Sequence, residues 1–142
     1  MHTIREVLEL KNRSVLSIGP DASVLDAIRM MASHGVGALL VMEGERLAGI
    51  VSERDYARKV ILMQRRSETT RVSEIMTVSV ITVPPGVRAH EGLEIMTERH
   101  IRHLPVVDSG TVIGIVSIGD LVKSVIESQR RLISDLERYV HG

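Results

Sequence analysis

The sequence has no cysteine, no phenylalanine and no tryptophan, and only two tyrosines among 142 residues. Without cysteine the chain can form no disulfide, thiol nucleophile or thiolate metal site. The shortage of aromatic rings removes the platforms on which single-stranded bases stack. The 18 basic and 18 acidic side chains cancel, so no net field attracts nucleic acid or an anionic membrane. These absences disfavour thiol chemistry and nucleic-acid binding.

Long hydrophobic runs are also missing. The first residues lack the apolar stretch of a signal peptide, and no segment approaches the roughly 18 apolar residues of a membrane span. We therefore expect a soluble cytoplasmic protein with neither a membrane nor a nucleic-acid partner. Hydrophobic residues still make up 44% of the chain, so a core of aliphatic side chains and methionine is expected.

What the chain does contain is an internal repeat. The pattern Gly-Ile-Val-Ser-x-x-Asp occurs at 49–55 and again at 114–120, which is 65 residues later. The same register holds without a gap from Val15 and Val80 to Ile61 and Ile126. Such duplication indicates two similar units with two related polar sites. Each unit alone, at about 60 residues, would be marginally stable, so we expect the two to share a core.

Each repeat is expected to run strand, helix, strand, strand, helix. Apolar runs bounded by turn residues predict the strands, which are 15–18, 39–42, 47–51, 80–83, 104–107 and 112–116. In the first repeat, Ser23 is expected to begin a helix and Gly35 to end it, and a second helix is expected at 54–63. Related lead-in segments, 3–8 and 71–76, precede the repeats, and the first is followed by three extra residues.

Two residues of the second repeat carry specific predictions. Pro105 has no N–H for a sheet ladder, so its strand should lie at an edge or beside a gap. Gly92 falls inside a helix, where glycine costs about 1 kcal/mol relative to alanine. We expect a neighbouring backbone to pass close to it.

The C-terminal segment has no counterpart in the first half. After Asp120 no glycine or proline occurs until Gly142, which allows about 20 helical residues. Apolar residues recur along it at three-to-four spacing, interrupted by Gln129. The stripe could pack on the protein's own body or against its copy in a dimer. We favour the dimer, because so small a body cannot cover that length.

The repeated serine and aspartate admit two interpretations. A serine that follows a strand and begins a helix commonly caps it, and Ser52 and Ser117 could do only that. A carboxylate beside a helix start can instead accept hydrogen bonds from a vicinal diol such as a ribose. The duplicated context, with glycine three residues before each serine, favours a ligand role. The two roles are compatible.

At this point the sequence resembles the tandem cystathionine-β-synthase domain family, the CBS pair. The resemblance is carried by the two Gly-x-x-Ser-x-x-Asp motifs, the segments 37–41 and 102–106, and the lead-in 72–76. It covers the chain from Ile4 to Ile126 and is closest to short stand-alone bacterial CBS-pair proteins. A single motif would be weak, whereas the matched pair is specific.

The resemblance implies a mixed α/β fold of two βαββα repeats related by pseudo-two-fold symmetry, followed by a long C-terminal helix. It places the first repeat at 9–66, the second at 75–131 and a helical tail at 132–142. It also implies ligands, AMP, ADP, ATP or NAD(H), bound in clefts between the two repeats. Such pairs dimerise into a flat disc, so the expected assembly is a homodimer or tetramer.

The family's ligand-binding positions can be transferred residue by residue. The ribose would be held by Asp55, Asp120, Ser52 and Ser117. The phosphates would be approached by Arg54, Arg102, His103 and Arg58. The surroundings of the base and ribose would be formed by Ser17, Thr82, Gly37, Ala38, Leu104, Pro105 and Ile118. Because Gly37 and Ala38 stand where the second repeat has Arg102 and His103, the two clefts should not be equivalent.

Other chemistry finds little support. His100 and His103 are three residues apart but have no third ligand in pattern, so we expect no metal site. No nucleophile motif or phosphate loop is present, so we expect neither an enzyme nor a catalytic cofactor. The leading hypothesis is a nucleotide-sensing regulatory module in signal transduction, acting on itself or on an unidentified partner protein. The alternative is a ligand-free scaffold that dimerises and regulates a partner enzyme through the C-terminal helix.

Overall fold

The computed structural model describes residues 1–12 and 14–141, so Arg13 and Gly142, the end of the predicted tail, lie outside the described residues. The chain divides into two compact units. One is Val15–Ile81, which we call the first-repeat unit. The other combines Met1–Ser14 with Thr82–Gly142, and we call it the second-repeat unit.

The elements are numbered along the chain. They are α1 (Ile4–Lys11), β1 (Ser17–Ile18), α2 (Val24–His34), β2 (Ala38–Glu43), β3 (Arg46–Ser52), α3 (Glu53–Tyr56), a π-helical turn (Ala57–Ile61), α4 (Val72–Ile75), α5 (Ala89–Arg99), β4 (His103–Asp108), β5 (Thr111–Ser117) and α6 (Ile118–His141). This is the mixed α/β arrangement with a long final helix that the sequence predicts.

The first-repeat unit contains a three-stranded sheet in the order β1-β2-β3. Strand β1 pairs parallel with β2, and β2 pairs antiparallel with β3. The Ser23 hydroxyl accepts from the Asp26 N–H and begins α2, while Gly35 ends that helix with φ +65°. Both helix ends are those predicted. The expected helix 54–63 differs, because α3 passes into a π turn in which the Leu62 N–H donates to the Ala57 carbonyl.

The second-repeat unit contains the antiparallel pair β4-β5. The strand predicted at 80–83 is not formed, and only a single bridge joins Val83 to Val106. Pro105 explains the difference. In the first repeat the equivalent residue, Leu40, donates its N–H to the Leu16 carbonyl at 3.3 Å. Proline cannot donate, so this rung is lost and the strand shrinks to a bridge.

Each lead-in helix belongs to the unit of the other repeat and not to the unit of the repeat that it precedes. Helix α4 lies in the first-repeat unit, and α1 lies in the second-repeat unit. The motif glycines make room for these segments. A Cβ on Gly49 would lie 2.7 Å from the Thr77 carbonyl oxygen, and one on Gly114 would lie 2.8 Å from Leu8 Cδ2. The glycine of the repeated motif therefore serves packing.

The expectation for Gly92 was wrong in its detail. The neighbours of Gly92 are side chains, with Leu121 Cδ1 2.7 Å and Ile4 Cδ1 3.3 Å from the position of a Cβ. Glycine here allows α5 to lie close to α6 and α1, whose side chains and not whose backbone fill the space beside it. Leu121 and Ile4 are both fully buried, so they form the core at this point.

Among the described residues, none of the helices combines the length and apolar character needed to cross a membrane.

Candidate functional site

Asp55 lies at the start of α3, directly after strand β3. Its Oδ2 accepts from the Ser52 N–H at 3.0 Å and from the Ser52 hydroxyl at 3.1 Å. The Asp55 N–H in turn donates to Ser52 Oγ at 3.2 Å. This reciprocal arrangement is a capping box, and it satisfies N–H groups that the helix start leaves unpaired.

The second oxygen of Asp55 is also engaged. Lys59 Nζ lies 3.2 Å from Oδ1, and the Thr77 hydroxyl donates to Oδ1 at 3.5 Å. Lys59 also donates to the Ile75 carbonyl at 2.8 Å. Lysine therefore ties the aspartate to the end of α4. The Asp55 side chain is mostly shielded, with 13% of its surface exposed.

Asp120 occupies the same place at the start of α6. Its Oδ2 accepts from the Ser117 N–H at 2.9 Å, and its own N–H donates to Ser117 Oγ at 3.1 Å. The serine and aspartate that the repeat predicts as a pair are therefore together in both units. Capping is confirmed in both, and it engages Oδ2 in each case.

The cation beside Asp120 comes from a different element. Lys11, the last residue of α1, donates to Asp120 Oδ2 at 2.8 Å and to the Ile115 carbonyl at 3.0 Å. In the first repeat the lysine stands on the motif helix itself, and its equivalent in the second repeat is Ser124. Each aspartate thus has a lysine partner, supplied from a different position.

Among residues 1–12 and 14–141, the hydrogen bonds that Asp120 accepts from the Lys11 ammonium and from the Ser117 N–H both end on Oδ2. Oδ1 is therefore able to accept from a ligand hydroxyl, whereas both oxygens of Asp55 already have donors. The two sites differ in this respect.

Charge and burial set the protonation of the second site. Burial raises the pKa of the Asp120 carboxyl, but hydrogen bonds from Lys11 and Ser117 outweigh it and the pKa lies below its usual value. Burial lowers the pKa of His103, and the positive charges of Lys11 and Arg102 lower it further against an opposing effect of Asp120. Asp120 is thus ionised and His103 neutral near pH 7.

Strand pairing places several other predicted residues next to these motifs. Ala38 is opposite Ser52, and the Gly37 carbonyl accepts from the Glu53 N–H at 3.0 Å. His103 is opposite Ser117, and the Arg102 carbonyl accepts from the Ile118 N–H at 2.9 Å.

The remaining predicted residues lie in varied surroundings. Leu104 is fully buried and Pro105 is buried, so their side chains belong to the core of the second-repeat unit. Ser17, Thr82, Arg54 and Arg58 are exposed. Ser17 is paired in register with Leu40, and Thr82 precedes the bridging residue Val83.

Two residues at these sites were missed by the sequence reasoning, namely Lys11 and Thr77. Lys59 stands four residues after Asp55, the spacing at which charged side chains meet on a helix. Lys11 could not be placed in the same way, because it precedes the first repeat yet contacts the second. The three extra residues after the first lead-in were the only signal that this end of α1 is special.

In the described ranges 1–12 and 14–141, no group of three histidine, aspartate or glutamate side chains could hold a metal ion. The duplicated fold, with a helix capped by serine and aspartate after the hairpin of each unit, defines a class of protein, a tandem-repeat module. The CBS domain family model matches residues 4–62 and 72–127. The chain belongs to the CBS domain family, which confirms the predicted membership and the prediction that it is not an enzyme.

Curated relatives and solved structures agree with this membership. The chain is 40% identical to the CBS domain-containing protein CBSX3, mitochondrial, of Arabidopsis thaliana, over 99% of this chain and 72% of that protein. A putative signal-transduction protein with CBS domains from Burkholderia ambifaria is 50% identical, with a TM-score of 0.85 over 89% of this chain and 96% of that one. A CBS domain protein from Pyrobaculum aerophilum complexed with AMP is 26% identical, with a TM-score of 0.74 over 83% and 88%.

Proposed function

We propose that this CBS-pair module senses an adenine nucleotide, AMP, ADP, ATP or NAD(H), and that Asp120 holds the ribose of that ligand. The observation that carries the proposal is the Asp120 carboxylate, which is ionised. Its Oδ2 accepts from Lys11 and from the Ser117 N–H, and its Oδ1 is able to accept from a ligand hydroxyl. Hydrogen bonds to a charged group contribute about 1.5–3 kcal/mol each, so a diol gains considerably from this oxygen.

Basic groups around Asp120 suit the phosphate of the same ligand. Lys11 contacts the carboxylate directly, and both Lys11 and Arg102 are close enough to lower the pKa of His103. A guanidinium fork and an ammonium can neutralise a phosphate, and the neutral imidazole can donate one hydrogen bond. A carboxylate bordered by cations fits a ligand with a diol at one point and a negative charge at another. AMP in the Pyrobaculum aerophilum relative is a ligand of this kind.

The first-repeat unit should be the weaker nucleotide site. Both carboxylate oxygens of Asp55 already accept hydrogen bonds, and Gly37 and Ala38 replace the basic pair of the second repeat. A ribose there would have to displace Lys59 or Thr77. We therefore expect one nucleotide to bind with higher affinity, at Asp120.

The test is a thermal melt with a panel of AMP, ATP and NAD⁺. A ligand at 100 times its Kd should stabilise the fold by about 2.7 kcal/mol. For a chain of this length that is a rise in Tm of several degrees, at about 2–4 °C per kcal/mol. The expected result is a rise for at least one nucleotide in the wild type, and its loss in Asp120→Asn.

The matched control is Asp26→Asn. Asp26 also follows a capping serine by three residues at a helix start, but it is exposed and belongs to no Gly-x-x-Ser motif. It should keep the full shift. A shift that survives in Asp120→Asn, or no shift with any nucleotide, contradicts the assignment.

A second candidate function is favoured by one observation, the exposed apolar face of α6. Leu136 and Tyr139 are 56% and 88% exposed. A scaffold that regulates a partner enzyme through this helix would need such a face and no ligand. Truncation after Gln129 separates the two candidates. A nucleotide sensor keeps the rise in Tm that its nucleotide causes, whereas a scaffold loses the helix through which it contacts its partner.

A further inference from the structure

Helix α6 carries an apolar seam that lies beside its buried face, not on it. The side chains of α6 that are buried are Leu121 and Ser124. Val122 and Ile126 are 41% and 42% exposed, although they stand in the same part of the helix. At 3.6 residues per turn, Val122 points about 100° away from Leu121. The seam beginning at Val122 therefore lies to one side of the face through which α6 packs on the body.

The spacing of this seam is that of a helix pair. Its positions are Val122, Ile126, Gln129, Ile133, Leu136 and Val140, separated alternately by four and three residues. This is the heptad pattern in which positions a and d face a second helix. The a positions are Ile126, Ile133 and Val140, which are all β-branched. The d positions are Val122, Gln129 and Leu136, of which only Gln129 is polar. The apolar members of the distal part, Ile133, Leu136 and Val140, are all more than half exposed.

We propose that α6 pairs with α6 of a second copy of this chain in antiparallel orientation, about an axis near residue 131. With this axis, two core residues pack against each other when their numbers add to 262. Each a position of one helix then meets a d position of the other. Ile126 then packs against the partner's Leu136, and Val140 packs against the partner's Val122. This pairing requires no nucleotide and goes beyond the ligand-binding function.

Charge complementarity selects the antiparallel orientation. The flank positions that directly follow the d residues meet each other in an antiparallel pair, so Lys123 lies beside the partner's Glu137, and this pair forms twice by symmetry. In a parallel pair, Glu137 would instead face Leu132 of the partner subunit, which is apolar, so no opposite charges would meet across the flank. Arg130 faces its own copy at the axis, but this pair stands on the exposed edge, where solvent and salt screen it.

The other flank is apolar, which also suits the antiparallel arrangement. Val125, Leu132 and Tyr139 occupy the position preceding each a residue. In an antiparallel pair such residues face each other, so Leu132 meets the partner's Leu132 and Val125 meets the partner's Tyr139. Tyr139, the most exposed large hydrophobic residue of the described chain at 88%, is thereby covered.

Gln129 fixes the register of this pair. The two copies of Gln129 fall in neighbouring layers on either side of the axis, each against the partner's Ile133. Their amides can hydrogen-bond to each other there, which any shift by a heptad would prevent. A polar residue at a core position sets register and orientation in this way in coiled coils.

The first test is the mass of the full chain in solution by sedimentation velocity. The wild type should be a dimer, and Leu136→Asp should be a monomer, because it places a charge in the seam. Ser134→Asp is the matched control, since it adds the same charge to the opposite face two residues away. Both variants should keep the nucleotide response of the wild type, so a failure of ligand binding is distinguishable from a failure of pairing.

Orientation is tested by crosslinking, for which the lack of cysteine is an advantage. Ile133→Cys and Gln129→Cys are oxidised separately and after mixing. An antiparallel pair brings residue 133 against the partner's residue 129, so disulfide dimers should form in the mixture and not in either variant alone. Disulfide dimers in each variant alone would establish a parallel pair and overturn the proposal, as would a monomeric wild type.

A charge exchange gives an independent readout. Lys123→Glu should raise the dissociation constant of the dimer about fivefold or more, and adding Glu137→Lys should restore it. Within one helix these residues are 14 positions apart, about 21 Å, so the rescue can act only between chains. A double variant no tighter than Lys123→Glu would contradict the pairing.

Discussion

Lys11 and Asp120 form an ion pair, with Lys11 Nζ 2.8 Å from Asp120 Oδ2, although 109 residues separate them in the sequence. Their side chains are 21% and 24% exposed, so the pair is largely shielded from solvent. The pair joins the end of α1 to the motif of the second repeat. It therefore links the stability of that unit to the carboxylate on which nucleotide binding is proposed to depend.

Replacing Lys11 by methionine should destabilise the protein at neutral pH. The largely shielded carboxylate would lose a charged hydrogen-bond donor, a loss of about 1.5–3 kcal/mol. Chemical denaturation of both proteins at pH 7 measures it. Arg29→Met is the control, because Arg29 is an exposed cation on α2, and it should change the free energy of unfolding by less than about 0.5 kcal/mol.

The Lys11 effect should disappear in acid. The pKa of Asp120 in the folded protein lies below its usual value, so its contribution is complete above that value and is lost as the pH falls through the folded pKa. Without Lys11 the pKa of Asp120 should rise towards its usual value. The difference between wild type and variant should therefore shrink below about pH 4. A difference that is constant with pH would mean that Lys11 contributes only by packing.

His103 should make stability depend on pH in the range where histidine titrates. Its pKa in the folded protein is lowered by burial and by Lys11 and Arg102, so the unfolded chain binds more protons just below the usual value. The free energy of unfolding should then rise with pH towards about 7. Wild type should lose more stability from about pH 7.5 to about pH 5.5 than His103→Gln does.

His90→Gln provides the comparison for that measurement, because His90 is exposed on α5. It should follow the wild-type pH dependence. If His103→Gln and His90→Gln behave alike, the burial of His103 has no energetic consequence.

Alanine at the motif glycines should destabilise the two units unequally. In Gly49→Ala the new Cβ would lie 2.7 Å from the Thr77 carbonyl oxygen, which belongs to backbone and cannot turn away. Overpacking of this kind costs about 1–3 kcal/mol. In Gly114→Ala the obstacle is the end of the Leu8 side chain, so the cost should be smaller. Thermal or urea unfolding gives the order.

Gly19→Ala is the matched substitution, since nothing lies within 4 Å of its Cβ position. It should be close to neutral. Equal losses at Gly49 and Gly19 would show that the close approach of Thr77 does not matter.

The duplicated motifs could be predicted from sequence because they are local. Ser52 with Asp55, and Ser117 with Asp120, are three residues apart at a strand-to-helix junction, where spacing alone brings them together. Gly35 could be predicted for the same reason, as a left-handed helix end.

What escaped prediction depends on contacts between distant parts of the chain. Lys11 reaches a motif more than 100 residues away, and no periodicity in one sequence reports that pairing. The strand expected at 80–83 has suitable residues, yet Pro105 on its neighbour removes the donor it needs. Gly92 was expected to face backbone because composition cannot tell which atoms fill a space.

The most direct test of the account is an isothermal titration of the full chain with AMP, repeated with Asp120→Asn. The account predicts a binding isotherm for the wild type and for Asp26→Asn, and a loss of affinity of at least about tenfold in Asp120→Asn, which corresponds to about 1.4 kcal/mol. Asp55→Asn should change the tighter affinity little. Equal affinities in the wild type and Asp120→Asn would contradict the claim that this carboxylate holds the ribose.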